Sequence, residues 1–184
     1  DVCSSDLVIL VGCFAHARRH FADIKKFTKK ADKNSVTEKA LALIGELYQI
    51  EKKLKERYAI FDEAALLEIQ KVRDEYSRPL IDDYFKLMAN SYPNSTGKLR
   101  QAIGYSLNQK EKLVRYLEDP RLSIDNNASE SNIRAFVLGR KNWLFSNTPN
   151  GARSSAIIYS LVITAKLNKL KLYDYLVYLF KNLQ

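Results

Sequence analysis

Apolar residues recur along most of the chain at helical spacing, after one short continuous run near its start. That run, Val8 to Phe14 (VILVGCF), is β-branched and ends near a glycine, which predicts a buried strand. Ala15 to Lys30 reads as a helix with Phe21, Ile24 and Phe27 or Thr28 near one face. Ser35 to Tyr58 is the plainest helix: Leu41, Ile44, Leu47, Tyr48, Leu54 and Tyr58 keep the period, and Ser35 with Glu38 makes a capping box. Asp62 to Asn90 follows, with Ala65, Ile69, Val72 and Tyr76 on one stripe and Pro79 expected to kink or break it. SYPNSTGK is a loop, and Thr96 to Glu118 is helical again through Leu99, Ile103, Leu113 and Leu117.

Beyond Ser123 the texture changes. Asp125, Asn126 and Asn127 are residues that cap helices and populate turns. They predict a helix from about Ala128 to Leu138, stopped by Gly139. NWLFSNT reads as a short strand or extended segment, PNGA as a turn, Ala152 to Asn168 as a helix, and Leu172 to Leu183 as a last amphipathic helix.

With 184 residues, 46% of them hydrophobic, the chain has material for one domain, or for a core with one insertion, and can bury a sizeable core. No apolar run reaches the roughly 18 residues of a membrane helix. The first residues are polar and acidic, so no cleavable signal peptide is expected. Two cysteines are too few for a disulfide scaffold and suit the cytosol. The net charge is +9, and from Arg121 onward nine basic residues face three acidic ones, a balance that favours polyanions such as nucleic acid. Read back into codons, DVCSSDL agrees throughout with the end of a common sequencing adapter. Asp1 to Leu7 is therefore expected to be adapter read-through, with no role for Cys3 or Asp6, and the parent protein to extend further upstream.

Three constellations carry possible chemistry. Glu130 stands three residues after Asn127 and four before Arg134, the spacing of a capping box and of a helical ion pair. The same carboxylate, followed by Arg134, Arg140 and Lys141, also suits a metal site beside phosphate-binding side chains. Two-metal phosphoryl transfer needs several carboxylates converging on ions about 4 Å apart, so partners must come from elsewhere. Cys13, His16 and His20 are zinc-ligand types, but a strand end at Cys13 and the lack of a fourth ligand count against zinc. Arg18 and Arg19 are either solvated or reach phosphate. Arg140, Lys141 and Asn142 beside Trp143 and Phe145 offer phosphate contacts with aromatic stacking, or a core edge with solvated cations. There is no P-loop, dinucleotide fingerprint or Ser-His-Asp signature.

VGCFAHARRHF, the stretch from Ile124 to Asn168 and the closing YDYL together resemble the C-terminal half of transposases of the insertion sequence sixty-six family. The resemblance implies a mainly α chain: a truncated RNase H-like α/β catalytic core with a large all-helical insertion and C-terminal helices. Residues 8–30 and 119–168 would be core, 31–118 insertion and 169–184 the last helix, with the Val8–Phe14 strand packed beside the Ala128–Leu138 helix. Glu130 matches the third carboxylate of an Asp-Asp-Glu triad. Asp125, Asn126, Asn127, Arg134, Gly139, Arg140, Lys141, Asn142, Trp143 and Phe145 match the family signature, and Cys13 with His16 a Cys-x-x-His feature. Ser131 and Ala135 depart from it, standing where the family usually has Arg and Pro. The resemblance further implies two Mg²⁺ ions in the intact enzyme, DNA as partner, Arg134, Arg140, Lys141 and Arg153 on phosphates, and a homo-oligomer in a transpososome. It implies a bacterial cytoplasmic, nucleoid-associated protein with no membrane partner. Both Asp residues of the triad should lie upstream, so the chain by itself is expected to be inactive. The alternative is a non-catalytic helical DNA-binding or assembly module.

Overall fold

The computed structural model describes residues 9–27, 35–58, 62–143 and 146–182. Among them the regular elements are helices: α1 (Phe14–Phe27), α2 (Val36–Arg57), α3 (Glu63–Val72), α4 (Arg78–Ser91), α5 (Gly97–Asn108), α6 (Lys110–Val114), α7 (Asn127–Trp143), α8 (Pro149–Leu167) and α9 (Leu172–Asn182). A π-helical turn, Arg73–Ser77, joins α3 to α4, and a 3₁₀ turn, Arg115–Leu117, follows α6. The chain divides into two compact units, Asp1–Asn126 and Asn127–Gln184.

The first unit is built on α1, α2, α4 and α5. Phe14, Ala17 and Phe21 come inward at helical spacing from α1, Ala40, Ile44 and Leu47 from α2, Tyr84, Phe85 and Met88 from α4, and Ala102 and Ile103 from α5. Phe14 sits edge-on to both Tyr84 and Tyr116, each with ring centroids 6.0 Å apart, the geometry that aromatic quadrupoles favour. The buried Tyr84 hydroxyl is satisfied by Ser106 Oγ at 2.7 Å, and Ser106 in turn donates to the Ala102 carbonyl. At the start of α2 the Glu38 amide donates to Ser35 Oγ at 3.3 Å, as the capping residues predict.

Pro79 does not break the third long helix. The π turn lies just ahead of it, and Pro79 occupies the first turn of α4, where a missing backbone donor costs little. The turn also resets the buried face. Ala65, Ile69, Arg73, Ser77 and Ile81 are all buried, at intervals of four. A regular helix would rotate such a series by about 40° per step. The wider turn holds it inward and turns the expected stripe residue Tyr76 out to 53% exposure.

The predicted strand is not formed: Ile9 to Cys13 are irregular, and Val8 lies outside the described residues. A strand needs a ladder, and here the backbone partners belong to other structure. Gly12 N–H donates to Lys112 O at 2.7 Å and Phe14 N–H to Ile124 O at 3.1 Å.

In the second unit α7 runs through Gly139 to Trp143 instead of stopping. A glycine inside a helix costs only about 1 kcal/mol relative to alanine, too little to end one against continuing neighbours. Asn142 and Trp143 are therefore helical, not extended, while Leu144 and Phe145 lie outside the described residues. PNGA is likewise not a free turn. Thr148 caps α8 by accepting from Gly151 N–H at 3.0 Å, and Pro149 takes the first helical position.

Candidate functional site

The signature turn is assembled in the first unit from residues far apart in sequence. Cys13 and Asn126, 113 positions apart, meet where the Asn126 amide approaches Cys13 Sγ at 3.4 Å. Ile124 beside it is buried and accepts from the Phe14 amide. Asp125 is half-buried and takes a hydrogen bond from the Tyr48 hydroxyl at 2.9 Å. Burial, the hydrogen bond to Asp125 and that carboxylate's charge all push the Tyr48 phenol well above its ordinary value, so it is a donor at any physiological pH. Arg18 lies close enough to oppose that shift. Beside the pair an open groove of about 310 Å³ is lined by Tyr48, Lys52, Lys55, Glu56 and Asp125 among others.

The segment leading to this turn is gripped by a buried cation. Arg73 and Glu51 form a bidentate pair at 2.8 Å, with side chains only 3% and 6% exposed. The remaining guanidinium hydrogens go to the carbonyls of Tyr116 (2.9 Å), Asp119 (3.2 Å) and Leu122 (2.9 Å), and the guanidinium lies over the Tyr116 ring. Gln70 adds a bond to the Leu117 carbonyl at 2.8 Å. Sequence reasoning missed Arg73, Glu51 and Gln70. The signal was present: Arg73 continues the spacing of Ala65 and Ile69, and Glu51 the spacing of Ile44, Leu47 and Leu54, so each is a charge at a core position.

Other expected site residues fall as follows. His16 is half-buried in the first turn of α1, and its amide bonds to the Cys13 carbonyl at 3.2 Å. Arg18 and Arg19 are exposed on α1. His20 is exposed too, its ring centroid 4.6 Å from that of Tyr105. In the second unit Glu130 lies exposed in the first turn of α7, where the helix dipole favours an anion. Arg134 is exposed one turn on, and Arg153 is exposed early in α8. Arg140, Lys141, Asn142 and Trp143 end α7, with their side chains outside the described residues. Cys13, Asp125 and Asn126 thus belong to the first unit, while Asn127 and Glu130 belong to the second. The Val8–Phe14 segment and the helix of Glu130, expected to pack together, fall in different units.

No three His, Cys, Asp or Glu side chains among the described residues converge as a metal site requires, for zinc or for magnesium. Nor is any helix among them long and apolar enough to cross a membrane.

Residues 2–154 match the sequence model of the Transposase IS66 family, a span that ends in the early part of α8. The chain belongs to this family. It is 31% identical over 175 residues to Uncharacterized protein y4qI of Sinorhizobium fredii (strain NBRC 101917 / NGR234), covering 94% of this chain and 30% of that protein. It is also 31% identical over 166 residues to Uncharacterized protein y4hP of the same organism, covering 85% of this chain and 29% of that protein. The chain thus spans about 30% of the length of the curated relatives it matches. No solved structure matches it.

Proposed function

We propose that this chain is the part of a DNA transposase that carries the third carboxylate of its catalytic triad, Glu130. The observation that carries the reading is the family match, which takes in the whole stretch from Ile124 to Phe145. The position of Glu130 agrees with it: an exposed carboxylate at a helix start, with Arg134 one turn on, is accessible to substrate. A single glutamate does not make a two-ion site, and the described residues supply no cluster around it. Two Mg²⁺ ions and an RNase H-like core are therefore proposed for the whole protein, with carboxylates and strands from beyond the described residues. On this reading the chain's own contribution is to present Glu130 and to hold DNA. Arg134, Arg140, Lys141 and Arg153, with Arg18 and Arg19, neutralise backbone phosphates, while Asn142 and Trp143 meet the nucleotides. The assembly is a homo-oligomer on insertion-sequence ends and target DNA.

The test is Glu130→Gln in a full-length protein of this family bearing this sequence. Strand transfer on end-containing DNA should vanish while the thermal midpoint stays within a few degrees. If transfer persists and only stability falls, by the roughly 1 kcal/mol of a lost cap, Glu130 is a helix cap. The second reading, a non-catalytic helical DNA-binding or assembly module, would then stand; the wholly helical character of the described residues favours it. This chain alone is expected neither to nick nor to join DNA in Mg²⁺ or Mn²⁺.

A further inference from the structure

The helical block grips the route into the signature turn at successive points. Arg73 spends all its donors on Glu51 and on the carbonyls of Tyr116, Asp119 and Leu122, and Gln70 holds the Leu117 carbonyl. Bonds to carbonyls fix the path of a backbone whatever its side chains are. The last grip differs in kind. The Tyr48 hydroxyl takes hold of a side chain, that of Asp125, and 77 positions separate the two residues. Tyr48 stands on α2, between Leu47 and Glu51, both buried, so its own position is set by the core and by the buried ion pair one turn on. Asp125 is two residues from the start of α7. One carboxylate oxygen thus has a fixed direction on a residue that borders an open groove.

We propose that Tyr48 is a positioning residue: its hydroxyl tethers Asp125 and so fixes the turn that closes the first unit, Ile124 to Asn126. The helical block is then not a passive insertion but the jig for the signature turn. This deepens the proposed function and rests on that reading for its consequence in catalysis, though not for the tether itself.

Tyr48→Phe tests it, because it removes one oxygen and leaves the ring in place. In this chain, amide hydrogen exchange at Asp125 to Asn127 should become about tenfold faster, the effect of losing one hydrogen bond to a carboxylate, while the amides of α4 and α5 keep their protection. Unchanged exchange at the turn, or an equal acceleration throughout the core, overturns the tether. In the full-length protein Tyr48→Phe should lower strand transfer by about the same factor, and should lower it no further in an Asp125→Ala background. An undiminished effect in that background means that Tyr48 acts elsewhere and overturns the proposal. Should Glu130→Gln leave transfer intact, the catalytic reading falls and the exchange result still decides the tether.

Discussion

Glu51 and Arg73 lock together in the first unit through two parallel bonds of 2.8 Å, buried beneath the segment they organise. The pair is more than a bridge between α2 and the π turn, since the same guanidinium also terminates three carbonyls. Arg73→Ala should therefore cost about 3–5 kcal/mol in urea unfolding, because it strands Glu51 without a partner in the interior. The double change Arg73→Met with Glu51→Leu should recover part of that loss but not all of it, because the carbonyls of Tyr116, Asp119 and Leu122 lose their donors. Full recovery would mean that the carbonyl contacts contribute nothing.

Gly12 is the second point where a single atom decides the packing. A Cβ at this position would lie 2.8 Å from the Leu113 nitrogen and 2.9 Å from the Lys112 carbonyl carbon, both backbone atoms that cannot swing aside. Its amide is already committed to Lys112 O at 2.7 Å. Gly12→Ala should destabilise the first unit by about 1–3 kcal/mol, read from the urea midpoint, and expose Cys13 to thiol reagents faster. A variant as stable as the parent would show that the two segments separate without cost.

How much of this was legible beforehand follows from the physics of each signal. Amphipathic period and caps are local, so α2 with Ser35, and the helical character of the segment that holds α3 and α4, could be read directly. A π turn shifts the inward face by one residue, and a fixed period cannot anticipate that; hence Tyr76 faces out, while Arg73, which opens the turn, still keeps the spacing of Ala65 and Ile69. The VILVGCF run misled because strand and buried irregular chain look alike as apolar runs, and what distinguishes them is a neighbour. In the site, residue types were legible and their companions were not. Nothing in the spacing joins Tyr48 to Asp125 or Cys13 to Asn126.

Asp119 gives a prediction in pH. Hydrogen bonds from the Arg121 side chain and then from its backbone amide lower the carboxyl to about 2, from an ordinary 3.8. A carboxyl depressed by folding stabilises the fold above its unfolded value, and that contribution is lost as pH falls from near 3.8 through about 2. The carboxyl resonance of Asp119 should titrate near the lower value, and Arg121→Ala should return it toward the upper one. A midpoint already near 3.8 in the parent chain would show that the pair does not persist in solution.

Arg121 also supplies the control for DNA binding. Each cation that neutralises a phosphate releases counterions, so its removal should flatten the dependence of log K on log salt by about 0.9. Arg18, Arg19, Arg134 and Arg153 are exposed and proposed as phosphate ligands, and each changed to Ala should reduce the slope by about that amount, whatever the DNA sequence. Arg121 is exposed too but already committed to Asp119, with its guanidinium 2.5 Å from the carboxylate. Its charge is locally cancelled, so Arg121→Ala should leave the slope nearly unchanged. Fluorescence anisotropy between low and physiological salt separates the cases. If all five variants shift the slope equally, binding answers to net charge alone, and the assignment of particular arginines to phosphates fails.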